Sequence, residues 1–509
     1  MKHLATGLWP DRRTVWRWHF FAGLFCLPFI VLLSLTGSLY LFKPQIEALI
    51  DYPYDHLPAA RAPTPMREVE AALAAVPGST LLAYEVPPTV QGAARVIVNR
   101  NGQAIRVYVE RTSHKVLKTV AEEQRFERLV FRLHGQLLLG NTGSVIMEMV
   151  ASWTVVLVLS GLWLWWPTDL RGLGGLLYPR LGRTGRARWR DIHAVSGVWV
   201  SGVLVLFLVS GLPWSFVWGH ALSSVQHRVG RLVTVRDWEI GAVPVRDTLA
   251  GRPLPSDAAP AGAGHRVATA DMAGQASTSS TSISSAGISA ANASSASAGL
   301  GRTRSDNARS GTAISAADTT MDMPGMDMPP PAVPVSFPVG TMSGLDEVVR
   351  VATGLGLPPP VLVTPPATPG GPWTIRSDTQ NRPLRQSVTV SPDGRILSHG
   401  TFDQKGLVDR IIGYGVAAHE GHLFGWANQV LNLLVAIALM LMSGAATVLW
   451  LRRRPPGELG APPAHRSQRM GVATVGLVCV LGVLLPELGL SLSVLAGAAW
   501  LARQLGHGR

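Results

Sequence analysis

Four histidines, His19, His134, His193 and His419, stand near the starts of four long apolar runs, and each run closes on a hydroxyl–glycine pair. The pairs are Thr36-Gly37, Ser160-Gly161, Ser210-Gly211 and Ser443-Gly444. His19 and His193 each have a glycine four residues on (Gly23, Gly197) and the pair 17 residues on; His134 and His419 each have a glycine six residues on (Gly140, Gly425) and the pair 26 and 24 residues on. That match selects His419 over His422. A neutral imidazole is a common metal ligand, and an ionisable ring inside a membrane is costly unless something uses it. Taken singly, each would read as an interfacial residue hydrogen-bonded to its neighbours; the repeated spacing points to ligation. The Ser/Thr-Gly pairs alone are ordinary helix-packing devices.

The runs that carry these residues are long enough to cross a bilayer. A chain of 509 residues with 47% hydrophobic and only 15% charged residues is too apolar for a soluble enzyme of this size. Its formal charge of +13 comes from arginines clustered beside the apolar runs, which is a topology signal and argues against nucleic acid as a partner. Cys26 and Cys479 both lie within apolar runs, so there is neither a disulfide framework nor a CxxC motif, and redox chemistry needs a borrowed cofactor.

Six spans are expected. Residues 1–42 are a cytoplasmic start and first span, read as uncleaved because no A-x-A-like site follows it. The second span covers 134–166, and the 167–192 loop with Arg171, Arg180, Arg183, Arg186, Arg188 and Arg190 is cytoplasmic by the positive-inside rule. The third span is 193–218 and the fourth 419–451, followed by a 452–469 cytoplasmic loop. Residues 470–503 form a hairpin of two spans hinged at Pro486-Glu487, which returns the C-terminus to the cytoplasm. Two segments then lie outside the cytoplasm. Residues 43–133 contain a helix at 66–76 and a β-hairpin plus strand over 94–120; residues 343–418 contain a helix at LDEVVRVATGL and strands at PWTIRS, QSVTVS and GRILSHG. Between them 219–342 is a linker, of which roughly 253–335 is Ala/Ser/Gly/Pro-rich, too poor in large apolar residues to bury a core, and expected to be disordered.

The unit helix, external α+β domain, helix therefore occurs twice. His19 and His193 begin outgoing helices and fall near the cytoplasmic face; His134 and His419 begin returning helices and fall near the outer face. Two histidine pairs at two depths of a four-helix bundle are what six-coordinate b-type haem requires, and small residues on these helices would let a flat macrocycle approach the backbone. Glu148, inside the second span, is either a proton or quinone contact or a carboxylate satisfied by a neighbouring helix. The linker ends in MDMPGMDMP, where Met321, Met323, Met326 and Met328 offer soft thioethers suited to Cu(I), or reflect drift in a Pro-rich tract.

These features resemble the PepSY-associated transmembrane family of bacterial inner-membrane proteins over nearly the whole chain. The likeness is carried by WRWHFFAG, RLHGQLLLG, SGLWLWWP, DIHAVSGVW, HEGHLFGWANQ, RRRP and LPELGLSLSVL in that order, and by VYVERTSHKVL and VTVSPDGRILSHG where a PepSY domain ends in strand, turn and strand. The resemblance implies a mostly α membrane protein, a haem-binding bundle with a C-terminal transmembrane hairpin and two small periplasmic PepSY-like domains. It also implies an iron-regulated protein of the kind that includes haem-containing ferric-siderophore reductases, with haem ligands at His19, His134, His193 and His419; His422 is not on a position associated with a ligand. The long linker departs from shorter family members.

Three functions follow. The first is di-haem b electron transfer to a periplasmic ferric siderophore. No nucleotide fingerprint is present and the cytoplasmic loops are too short for a flavin domain, so the donor is quinol in the bilayer or a separate protein. The second is a PepSY module that binds a peptide or protease, which leaves the histidines unexplained. The third is copper handling or cupric reduction through the methionine arm, which keeps the haems and changes the substrate.

Overall fold

The computed structural model describes residues 10–60, 63–167, 172–221, 342–462 and 471–506. The linker and its four methionines, Met321, Met323, Met326 and Met328, lie outside these residues.

Four helices are long and apolar enough to cross a membrane: α1 (Arg12–Leu41), α6 (Gly140–Trp165), α7 (Arg186–Gly211, continued to Trp214 by a 3-10 turn) and α10 (Trp426–Arg453). Each is uniformly apolar rather than amphipathic, the pattern of a helix whose outer face meets lipid. They pack as two close pairs, α1 with α6 and α7 with α10, joined by contacts of α1 with α10 and α6 with α7. Val200, Val435 and Leu439 are buried at the α7–α10 seam. Two shorter apolar helices, α11 (Val472–Leu484) and α12 (Pro486–Gly506), break at Leu485, where Pro486 cannot donate a backbone hydrogen bond, and α12 lies against α6.

The segments between the long helices carry α2 (Lys43–Ile50), α3 (Tyr52–Asp55), α4 (Pro65–Ala75) and α5 (Phe126–Gln136) in the first half, and α8 (Leu345–Gly354) and α9 (Leu407–His419) in the second. The strands are β1 (Thr80–Val86), β2 (Ala94–Arg100), β3 (Gln103–Val109), β4 (Val116–Ala121), β5 (Val361–Thr364), β6 (Trp373–Ser377), β7 (Gln386–Val390) and β8 (Ile396–Thr401). The expected helices and strands are present, together with β1 and β5. Those two change the architecture. They pair antiparallel, Tyr84 with Val363 and Glu85 with Leu362, so the two α+β segments share one eight-stranded sheet of order β4-β3-β2-β1-β5-β6-β7-β8 rather than forming two separate domains. The order is symmetric about the β1–β5 pair, as a duplicated unit joined edge to edge requires. Each copy's inner edge strand is thereby covered, and an uncovered edge would be a template for pairing with other chains.

Alternation along the strands separates two faces. One face buries Tyr84, Val96, Val98, Val107, Val363, Trp373, Ile375 and Val388 against Val69 and Ala72 of α4 and Val348 and Val349 of α8, and forms the core of the sheet region. The other face carries charge. Arg95 bonds Asp55, Arg106 bonds Glu85 and Glu122, and Arg125 reaches both Glu122 and Glu47 of α2, which ties the sheet to the segment leaving α1. Burial would raise the Glu85 carboxyl, but the Arg106 and Arg95 guanidiniums outweigh it and hold Glu85 below the usual range.

Three boundaries differ from the sequence expectation: α7 begins at Arg186, seven residues before the expected start at 193 and within the expected loop, and the other two lie at histidines. The second and fourth spans do not begin at His134 and His419. His134 lies in the last turn of α5 and His419 ends α9, and in each case the chain then turns before the long helix starts. Leu137, Leu138 and Gly140 take left-handed backbone in the first turn, and Gly421 and Gly425 in the second. The apolar sequence LLL hides the first of these breaks, because hydropathy does not register a change of backbone direction.

Candidate haem-ligand site

The histidines are seated by the helices beside them, in a reciprocal pattern. His19 on α1 places Nδ1 2.9 Å from Ser160 Oγ on α6, while His134, just ahead of α6, places Nδ1 2.9 Å from Thr36 Oγ1 on α1. In the other half, His419, ahead of α10, places Nδ1 2.8 Å from Ser210 Oγ on α7, and His193 on α7 places Nδ1 3.1 Å from the Met442 carbonyl on α10. Every hydroxyl–glycine pair of the sequence therefore marks a histidine seat, with Met442 directly preceding Ser443-Gly444. Two of the four pair glycines lie against imidazoles, while Gly211 and Gly444 have no neighbour within 4 Å of an added Cβ. A Cβ on Gly161 would stand 3.2 Å from His19 Cε1, and one on Gly37 would stand 3.4 Å from His134 Cε1.

The partners assign the tautomer. Each hydroxyl also reaches the carbonyl four residues back: Thr36 to Leu32 at 2.8 Å, Ser160 to Val156 at 2.6 Å and Ser210 to Leu206 at 2.7 Å. Two oxygens that close need the hydroxyl proton between them, so the hydroxyl oxygen accepts from the ring and Nδ1 carries the hydrogen. A carbonyl can only accept, so His193 Nδ1 donates to Met442 in the same way. In all four rings the Nε2 lone pair is left available, and orientation of a ligating imidazole through its other nitrogen is the usual device of metal sites.

One pair of rings meets across the bundle. His19 and His193 face each other with centroids 6.1 Å apart and planes at 83°. Two metal–nitrogen bonds of about 2 Å, plus half a ring on each side, put facing imidazole centres about 6 Å apart, and the separation of this pair matches that value. At the sheet end, His134 and His419 are close enough to interact electrostatically, and Phe207 stacks on His419 with centroids 4.7 Å apart. Among the described residues no group of three or more His, Cys, Asp or Glu is placed to hold a metal ion.

Two further residues position His419 that the spacing argument missed. Asn432 Nδ2 donates to the Ala418 and His419 carbonyls, and Asn428 Nδ2 donates to Ala418 and to Asn432 Oδ1. They satisfy the carbonyls left open where α9 stops. In the first half the same junction closes through glycine: a Cβ on Gly143 would lie 1.7 Å from the Gln136 carbonyl oxygen, so only glycine lets α6 approach the end of α5. Two polar residues four apart at the head of an apolar run are the signal that marks the asparagines. Beside His419, Glu420 lies 3.5 Å from the fully buried Arg382, whose guanidinium sits 5.0 Å from the Trp214 ring at the end of α7.

Glu148 and His422 stand apart from the paired rings. The Glu148 carboxylate accepts from the Val217 and Trp218 backbone N–H groups at 3.0–3.1 Å, which makes it the cap of the chain continuing α7. His422 lies in the turn between α9 and α10, and its buried Nε2 has no hydrogen-bond partner.

No curated protein matches the chain. A family model described as the PepSY-associated TM region matches residues 16–453, which takes in all four paired histidines, every seat and the whole sheet. That span is well over half of the sequence, and the chain belongs to the PepSY-associated transmembrane family.

Proposed function

We propose that the chain is a di-haem b electron-transfer protein of the bacterial inner membrane that reduces a ferric chelate, of the siderophore class, on the periplasmic side. The observation that supports this reading is the disposition of the four histidines: His19 and His193 face each other, His134 and His419 lie near one another toward the sheet, and each ring is held through Nδ1. His19 and His193 would hold one haem at the arginine-rich end, which the positive-inside rule makes cytoplasmic, and His134 and His419 would hold another at the sheet end. Bound there, haem supplies a one-electron Fe(III)/Fe(II) couple at each depth.

The chain's own part is to fix ligands and exclude water. Thr36, Ser160, Ser210 and the Met442 carbonyl hold the rings in one tautomer and one orientation. Glycines beside the rings let the helices close around them, and the apolar bundle keeps both sites out of bulk solvent. The substrate iron gains one electron, Fe(III) to Fe(II), and a hard oxygen chelator that holds Fe(III) strongly releases Fe(II). The electron comes from quinol in the bilayer or from a donor protein. No dedicated acid or base is needed for this step.

The copper reading uses the same histidines and rests on methionines outside the described residues. The peptide-binding reading gives the histidine seats no role. The test is direct. Protein in liposomes, reduced anaerobically, is mixed with a ferric hydroxamate while Fe(II) is trapped by a ferrous-specific chelator. Fe(II) should appear as the reduced visible bands decay, and His134→Ala should slow both. Trapping no faster than in protein-free liposomes would overturn the reading.

A further inference from the structure

The polarity of α9 is inverted relative to a helix in water. Its inward face buries Asp409, Gly413, Val416 and Ala417, while the exposed positions 407, 408, 411 and 414 are Leu, Val, Ile and Tyr, with no charge among them. The turn after it continues the pattern: Phe424 is 73% and Trp426 78% exposed, and the surface runs on without a break into Val430, Leu431 and Leu434 of α10. The matching turn of the first half exposes Leu138 and Leu139, with Leu129 on α5 above them. Apolar patches of this extent do not stay open to water on a soluble face.

We infer that α9 and the two turns are bound by lipid, with α9 lying along the head-group boundary of the leaflet on the sheet side. Three observations select lipid as the occupant. The patch is continuous with the exposed face of a membrane-spanning helix. The exposed positions of α9 carry no charge, and its half-buried Arg410 is the kind of long cation that reaches from an apolar face to head groups, whereas an interface with water or a protein rim would carry more charge. Trp426 and Tyr414 are the aromatic types that sit at head-group depth. The consequence is a depth for the outer ring pair: His134 and His419, at the ends of α5 and α9, lie at the level of this boundary.

The test uses the full chain with Cys26 and Cys479 replaced by alanine, in nanodiscs of phosphatidylethanolamine and phosphatidylglycerol. Spin labels are placed singly through Ile411→Cys and Phe424→Cys, and through Ser398→Cys on exposed β8 as the aqueous reference. These side chains are exposed, so the substitutions leave the buried core intact. Labels at 411 and 424 should collide several-fold more with oxygen than with a water-soluble nickel chelate, and the reference should show the reverse. Collision with nickel at 411 as frequent as at 398 overturns the inference. So does an immobilised label at 411 whose dipolar broadening vanishes on dilution with unlabelled protein, because a second copy would then be the occupant.

Discussion

Ser210 Oγ lies 2.8 Å from His419 Nδ1 and 2.7 Å from the Leu206 carbonyl of its own helix, so one hydroxyl both closes a helical hydrogen bond and fixes the tautomer of a ring on the neighbouring chain segment. Thr36 does the same for His134 and Ser160 for His19. The seats are therefore positioning residues. Ser210→Ala, Ser160→Ala and Thr36→Val should each weaken retention of the bound group about 10–100-fold, the usual effect of removing a partner that orients a metal ligand. Extraction of pigment by apomyoglobin reads this out, and Thr36→Ser, which keeps the hydroxyl, should behave as the parent.

Contact distance sets the glycine at the His19 seat and the glycine at the α5–α6 junction. Gly161→Ala would put a methyl 3.2 Å from His19 Cε1, tight enough to push the ring, and Gly143→Ala would put one 1.7 Å from the Gln136 carbonyl oxygen, which no local adjustment absorbs. Gly161→Ala should yield folded protein with a shifted midpoint potential at one site. Gly143→Ala should yield little monodisperse protein after detergent extraction, and a normal yield would mean that the α5–α6 junction is looser than described.

The single sheet makes a prediction of its own. Val86 and Val361 are directly paired across β1 and β5. Placing cysteines at both positions should allow a disulfide on mild oxidation, because paired strand positions bring Cα atoms within the roughly 4.4–6.8 Å that the bond spans. Proteolytic cleavage between 222 and 341 would then leave the two halves linked on a non-reducing gel. Two independent domains would separate.

Asp378 gives the sheet region a pH signature. Burial pushes its carboxyl up to about 6, an effect that Arg385, Arg376, Lys43 and Arg382 only partly offset. The folded state thus favours the protonated form. Stability from this group is fully present below the ordinary aspartate value, and is lost as pH rises through about 6. The rise from 3.8 to about 6 corresponds to about 3 kcal/mol. Thermal unfolding of the parent should show lower stability at pH 7 than at pH 5, and Asp378→Asn should flatten that slope. An unchanged slope would place the dependence elsewhere.

Much of this was legible before any coordinates. Long apolar runs reveal themselves by composition, and the repeat of His, Gly and Ser/Thr-Gly spacings singled out the four histidines and three of the hydroxyls that bond them, His193 resting instead on the Met442 carbonyl. What stayed hidden is non-local or conformational. Leu137 and Leu138 read as the continuation of a span, yet their left-handed backbone turns the chain after α5. β5 is four residues between prolines and gives no hint that Val363 pairs with Tyr84, nearly 280 positions earlier. The seating role of the hydroxyls could not be told from ordinary helix packing until the Nδ1 distances were known.

The central claim is that two histidine pairs each hold a haem, and the visible spectrum of purified protein tests it most directly. Oxidised and dithionite-reduced spectra with pyridine haemochrome quantitation should give a b-type signature and about two haems per chain by the count of ring pairs. His193→Ala and His134→Ala should each remove about half. Protein from haem-replete cells that carries no haem, or that keeps its full content in both variants, would contradict the account.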